Sequence, residues 1–102
     1  MSRIDALRKL LAKDPRDGMS RYMLANELFK AEQFAEAADE LEAYVQDADD
    51  EGAAYRILAE AYLRLGKKDE ARWALKEGAS AARTHEHSGM ADEFEDKLQE
   101  LE

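Results

Sequence analysis

The side chains in this sequence best suited to chemistry are two histidines, His85 and His87, on either side of Glu86. Imidazole and carboxylate groups can hold a metal ion or exchange protons when they converge on one point. Residues two apart do not face one another on a helix, and the chain has no third histidine. We therefore predict a solvated loop here, and keep a metal site or an enzyme active site as the alternative.

Carboxylates are abundant, but none of them forms a recognisable acid–base pair. Glu36, Glu40 and Glu70 fall at solvated positions of predicted helices. The acidic stretch 47–51 lacks the alternating oxygen ligands and final glutamate of a calcium loop, so we predict a connector. No glycine-rich phosphate loop or serine nucleophile motif is present, and the absence of cysteine excludes thiolate chemistry and disulfides. We predict no catalysis, no metal and no cofactor.

Composition narrows the possible partners. The 24 acidic residues exceed the 15 basic ones, for a formal net charge of −9, so nucleic acid and anionic membranes are unfavourable partners. No apolar run has the length of a signal peptide core or a membrane span. With 102 residues and 45% apolar content, we expect one folded domain in the cytoplasm.

Few helix breakers and strong helical periodicity indicate an all-α protein of about six helices. Ser2 and Asp5 have the spacing of a capping box, Pro15 ends the first helix, and Gly66 suits a left-handed helix end. Short connections predict antiparallel helix hairpins. The predicted helices cover 2–13, 19–31, 34–47, 53–65, 68–82 and 90–101.

A shift of 34 residues superimposes one half of the sequence on the other. The matched residues lie at positions where helices of a hairpin should touch. The pairs are Gly18 and Gly52, Leu24 and Leu58, Ala25 and Ala59, Ala37 and Ala71, and Leu41 and Leu75. This pattern resembles the tetratricopeptide repeat (TPR) family. The resemblance implies a short right-handed solenoid of stacked hairpins.

The resemblance also implies how residues 1–102 divide within a single domain. The expected units are a half repeat at 2–13, repeats at 18–51 and 52–85, and a capping helix at 90–101. The sequence departs from the family where Asp49 and Arg83 replace the closing proline. Arg21 and Tyr55 occupy the opening tryptophan position.

In the resembled family the first helix of each repeat lines a concave surface that binds partners. The corresponding residues here are Met19, Tyr22, Asn26, Phe29, Lys30, Arg56, Glu60, Leu63 and Arg64. Their aromatic and basic members would suit a protein or peptide segment with acidic and apolar residues. In the alternative interpretation, Phe29 and Leu63 pack on adjacent helices, and Arg56 pairs with Glu60 four residues on.

We therefore predict a protein-interaction module or scaffold without catalysis. The alternative is a self-associating structural protein, such as a homodimer, joined through Trp73 or an apolar end of the solenoid. Trp73 lies off the apolar stripe of its helix. It either covers a neighbouring helix or is an exposed anchor for a partner.

Overall fold

A computed structural model describes residues 2–102 of the chain. Over this range the chain forms six α-helices and no β-strand, which confirms the predicted all-α fold. The helices are α1 (Arg3–Lys13), α2 (Gly18–Lys30), α3 (Phe34–Asp47), α4 (Ala53–Arg64), α5 (Lys68–Thr84) and α6 (Ser88–Glu100).

The helices stack in chain order rather than surrounding a common centre. Each helix packs against the next one, and α2 also contacts α4. Short turns make consecutive helices antiparallel, as predicted. The stack is elongated and flat, with extents of 41 × 28 × 17 Å.

The core consists of the apolar stripes that the sequence repeat pairs. Both members of each pair are buried: Leu24 and Leu58, Ala25 and Ala59, Ala37 and Ala71, and Leu41 and Leu75. The alanines let neighbouring backbones approach closely, and the leucines remove most apolar area from water. This packing stabilises helices that would be marginal in isolation.

Side-chain caps set the first residues of α1 and α2. The Ser2 hydroxyl accepts a hydrogen bond from the Asp5 backbone N–H at 3.1 Å, and the Asp5 carboxylate accepts one from the Ser2 N–H. These bonds confirm the predicted capping box. Asp17 accepts hydrogen bonds from the Ser20 N–H at 3.1 Å and its hydroxyl at 2.6 Å. Asp17 and Gly18, which predict a turn, therefore start α2.

Among the described residues, three turns share one backbone geometry. Glu32, Gly66 and Glu86 have φ angles of 61°, 74° and 62°, in the left-handed region. The backbone N–H of the next residue then donates to a carbonyl of the preceding helix, which satisfies a group that the helix end leaves open. These bonds join Gln33 to Leu28, Lys67 to Tyr62 and His87 to Ala82. The left-handed conformation predicted for Gly66 is confirmed.

The turn between α5 and α6 is shorter than the polar composition of residues 84–89 predicts. Helix α5 continues through Thr84, whose hydroxyl donates to the Ser80 carbonyl at 3.0 Å. Helix α6 begins at Ser88, two residues before the predicted start at Met90. Because a threonine hydroxyl can bond within its own helix, polar residues alone do not mark a helix end.

Candidate functional site

A groove of about 230 Å³ runs between α4 and α6, with α5 beneath it. We call it the α4–α6 groove. Its lining residues are Arg56, Ala59, Glu60, Leu63, Leu75, Glu93, Phe94 and Lys97. Arg56, Glu60 and Leu63 are therefore brought together, as their spacing on α4 predicts.

Helix α6 supplies the wall of the groove that the sequence prediction missed. Glu93 and Lys97 are four residues apart and share one side of α6, next to the buried Phe94. The sequence assigned α6 only to capping the solenoid. In the sequence, the only sign that Glu93 and Lys97 could line a site was their position beside the apolar stripe of α6. Spacing along one helix does not show which neighbouring helix such side chains face.

The charges that line the groove are balanced, although the basic residues among the predicted positions outnumber the acidic one. The Arg56 guanidinium lies 2.8 Å from the Glu93 carboxylate, and Arg64 lies 3.3 Å from Glu60. The hypothetical pairing of Arg56 with Glu60 is therefore wrong, because α6 offers Arg56 a different carboxylate. Lys97 lies 3.5 Å from Glu100. Exposed pairs of this kind contribute about 0–1 kcal/mol each, so they can exchange partners at little cost.

The candidate residues of α2 do not line this groove. The Tyr22 ring lies 5.1 Å from that of Tyr44, and the Phe29 ring lies 5.2 Å from that of Phe34. Both aromatics are thus half-buried against α3, which agrees with the packing alternative for Phe29. The Asn26 amide donates to the Tyr22 carbonyl at 2.9 Å.

Three further candidate residues are open to solvent outside the groove. Met19 is 72% exposed, and Lys30 lies 3.8 Å from Glu27. The Arg64 guanidinium lies 5.4 Å from the centre of the Phe34 ring, in a cation–π arrangement. Arg64 therefore links α4 to the start of α3 instead of pointing into the α4–α6 groove.

The two histidines connect two loops of the solenoid. His85 Nε2 lies 3.2 Å from an Asp49 carboxylate oxygen, and His87 Nε2 lies 2.9 Å from one of Glu51. The α5–α6 turn is thereby joined to the acidic connector before α4, instead of forming the predicted solvated loop. Over residues 2–102, no group of three or more His, Cys, Asp or Glu side chains is placed to hold a metal ion.

No helix within residues 2–102 combines the length and the hydrophobicity that a membrane span requires.

Stacked antiparallel hairpins with a 34-residue periodicity define a TPR-type repeat protein, a class that generally mediates protein–protein contacts as a non-catalytic scaffold. Residues 3–78 match the family model described as anaphase-promoting complex, cyclosome, subunit 3, a TPR-type repeat family, and the chain belongs to this family.

Solved structures support the same fold. The solution structure of protein BPP2914 from Bordetella parapertussis has a TM-score of 0.79 and 24% sequence identity, covering 99% of this chain and 88% of that one. The crystal structure of MamA, a TPR protein, has a TM-score of 0.71 and 19% identity, covering 97% of this chain and 66% of that one. At these identities the likeness shows the fold alone. A comparison with curated proteins found no match.

Proposed function

We propose that this protein is an interaction module that binds a segment of a partner protein in the α4–α6 groove. The observation that carries this proposal is an apolar floor beside an exposed, exchangeable charge pair. Leu63 and the buried Phe94 contribute the floor, and Arg56 with Glu93 forms the charge pair. Such a combination of apolar contact and a polar rim is typical of protein interfaces.

The partner segment we infer carries one apolar side chain and a nearby carboxylate. The apolar side chain would lie on Leu63 and Phe94. The carboxylate would take the place of Glu93 beside Arg56, since an exposed ion pair of this kind is weak. Lys97, on the opposite wall, offers a second position for an acidic group.

The other predicted positions would extend this surface along α2, which contacts α4, and to the end of α4. Those on α2 are Met19, Tyr22, Asn26, Phe29 and Lys30, and the one on α4 is Arg64. The proposal retains the division of the chain into a half repeat at 2–13, repeats at 18–51 and 52–85, and a capping helix at 90–101.

The test is a selection of displayed peptides on the wild-type protein, followed by affinity measurements on two charge-reversal variants. Arg56→Glu places a second carboxylate opposite Glu93, and we expect the selected peptides to bind it at least tenfold more weakly, about 1.4 kcal/mol. Lys76→Glu changes the net charge equally but lies outside the groove, so binding should be unchanged. Equal affinity for Arg56→Glu and wild type would refute the proposal.

Self-association remains the second candidate, and it draws on the exposed apolar side chains Leu10, Met19 and Trp73. They lie on α1, α2 and α5 and do not belong to the α4–α6 groove. Sedimentation at increasing concentration separates the two functions. A symmetric dimer that dissociates in Met19→Ser or Leu10→Ser supports this candidate, and a monomer at high concentration refutes it.

A further inference from the structure

A second depression, of about 360 Å³, lies between α3 and α5 with α4 as its floor. We call it the α3–α5 cleft. Its lining residues are Glu42, Val45, Gln46, Tyr55, Tyr62, Glu70 and Trp73. Tyr55 and Tyr62 are seven residues apart and share one side of α4, whereas Arg56, Glu60 and Leu63 lie on another. The cleft is therefore distinct from the α4–α6 groove.

Aromatic rings form one wall of the α3–α5 cleft. The Trp73 ring meets the Tyr55 ring edge to face, with 6.3 Å between their centres. Trp73 packs against α4 in this way but remains 45% exposed, and its role as an anchor for a partner stays a prediction. The faces of such rings carry partial negative charge and attract cations.

The Tyr62 hydroxyl is a buried polar group without a partner. Tyr62 is 3% exposed, and its oxygen makes no hydrogen bond within residues 2–102. A buried hydroxyl normally has a partner, and leaving it without one is unfavourable. A ligand that brings an N–H group into the cleft would supply that hydrogen bond.

Two carboxylates, Glu42 on α3 and Glu70 on α5, complete the lining. Neither forms an ion pair within the described residues, and no lysine or arginine lines the cleft. The negative charge of the cleft is therefore not neutralised by the chain, and it favours a cation.

At the equivalent position one repeat earlier, such a cation already joins α1 to α3. The 34-residue shift pairs Glu70 with Glu36 and Glu42 with Arg8. The Arg8 guanidinium lies 2.6 Å from the Glu36 carboxylate. The α3–α5 cleft keeps the carboxylate and replaces this arginine with a second glutamate, so it lacks the guanidinium that Arg8 supplies between α1 and α3.

We propose that the α3–α5 cleft binds an arginine side chain from a segment of a partner protein. A guanidinium is planar, so it can lie on the Trp73 ring while its N–H groups reach Glu42 and Glu70. An ammonium group carries the same charge but lacks this planar fork. This site does not depend on the α4–α6 groove, and each can fail without the other.

Trp73 is the only tryptophan of the chain, so its fluorescence reports directly on the cleft. The probe is a capped Gly-Arg-Gly peptide, titrated at constant ionic strength against matched lysine and glutamine peptides. We expect the arginine peptide to give a saturable change in emission. The lysine peptide should bind several-fold more weakly, and the glutamine peptide should give no saturation.

Three variants test the assignment, each with circular dichroism to verify folding. Glu42→Gln and Glu70→Gln should each weaken arginine binding about tenfold, because each removes a charged hydrogen-bond acceptor. Glu42→Arg should abolish binding, since the new guanidinium would pair with Glu70 as Arg8 pairs with Glu36. Asp92→Asn, an equal charge change on α6 outside the cleft, should bind as wild type does.

Several outcomes would overturn the proposal. Equal binding of arginine by wild type and a folded Glu42→Gln/Glu70→Gln double variant would show that the carboxylates do not hold the ligand. Equal binding of lysine and arginine would refute the arginine assignment. A concentration-dependent dimer that buries Trp73 in the absence of peptide would show that a second copy of the chain is the occupant.

Discussion

The helix pair α1 and α3 and the helix pair α3 and α5 occupy equivalent positions of the repeat but differ in chemistry. The first pair is joined by an ion pair of the chain's own side chains, Arg8 and Glu36. The second combines two carboxylates with the exposed ring of Trp73. The repeat thus preserves the buried stripe, whose volume is constrained by packing, and lets the surface positions diverge.

The largest expected effect concerns the buried apolar stripe that both repeats contain. Leu41→Ala and Leu75→Ala should each lower the free energy of unfolding by about 2–5 kcal/mol, by loss of burial and creation of a cavity. Leu75 borders the α4–α6 groove, so solvent can reach the space that the substitution leaves. Leu75→Ala should therefore lower the free energy of unfolding by less than Leu41→Ala. Urea denaturation measures both.

Leu10→Ala is the control for these substitutions, because Leu10 is 49% exposed and should lose less than about 0.5 kcal/mol. A greater loss of unfolding free energy for Leu75→Ala than for Leu41→Ala would contradict the predicted order.

A glycine on α5 marks where the second repeat departs from the first. Gly78 is the counterpart of Tyr44, and a Cβ atom there would lie 2.9 Å from both the Phe94 ring and Tyr55. Gly78→Ala should cost about 1–2 kcal/mol, because overpacking against α6 exceeds the gain in helix propensity. Gly18→Ala, whose Cβ would lie 3.7 Å from Tyr44, should be nearly neutral. The melting temperatures of the two variants test this prediction, and a Gly78→Ala variant that melts above wild type would contradict it.

The equivalent turns of the two repeats offer a backbone comparison. Glu32 and Gly66 share the left-handed conformation, which costs a side chain about 1 kcal/mol relative to glycine. We expect Glu32→Gly to stabilise the protein and Gly66→Ala to destabilise it by about that amount. Calorimetric melting of both variants gives the answer. The same sign of change in the two would show that the turns are not equivalent.

Exchanging the residue types at the equivalent positions 8 and 42 should exchange the electrostatics of the two helix pairs. Glu42→Arg should add about 0.2–1 kcal/mol of stability by pairing with Glu70, whereas Arg8→Glu should remove a similar amount by facing Glu36. Chemical denaturation at low and high salt checks this, because screening should reduce both effects. No change in Glu42→Arg at low salt would mean that Glu42 and Glu70 are too far apart to share a cation.

The smallest effect is the pH dependence of the hydrogen-bonded cap that starts α2. Hydrogen bonds from the Ser20 side chain and backbone hold the pKa of Asp17 below its usual 3.8. The folded protein therefore binds this proton less readily than the unfolded chain. The stability that Asp17 contributes is complete above that usual value and disappears as the pH falls through the lowered pKa.

The difference in melting temperature between wild type and Asp17→Ala should accordingly shrink in acid. Asp17→Asn retains an oxygen acceptor and is the control. A difference independent of pH would show that charge is not required for this cap.

The sequence predicted the buried residues of the helices better than the conformations of the turns. Leu24, Leu58, Leu41 and Leu75 were predictable because burial of a helical stripe follows from local periodicity. The left-handed Glu32 was not, since glutamate gives no sign of that conformation. The polar segment 84–89 predicted the α5–α6 turn but not its length.

The α4–α6 groove could also be predicted only in part. Spacing along α4 was enough to predict that Arg56, Glu60 and Leu63 share a face. It could not show that α6 places Glu93 beside Arg56, because that contact joins residues 37 positions apart.

Helical periodicity and the 34-residue shift thus specify the helices, their hairpins and the TPR-type stack from the chain alone. Only the tertiary structure decides which charges become partners, why Trp73 and Tyr62 share a cleft, and why that cleft has no guanidinium of the chain's own beside its carboxylates. The reason is physical: a stripe is a property of one helix, whereas a site is formed by side chains from several helices.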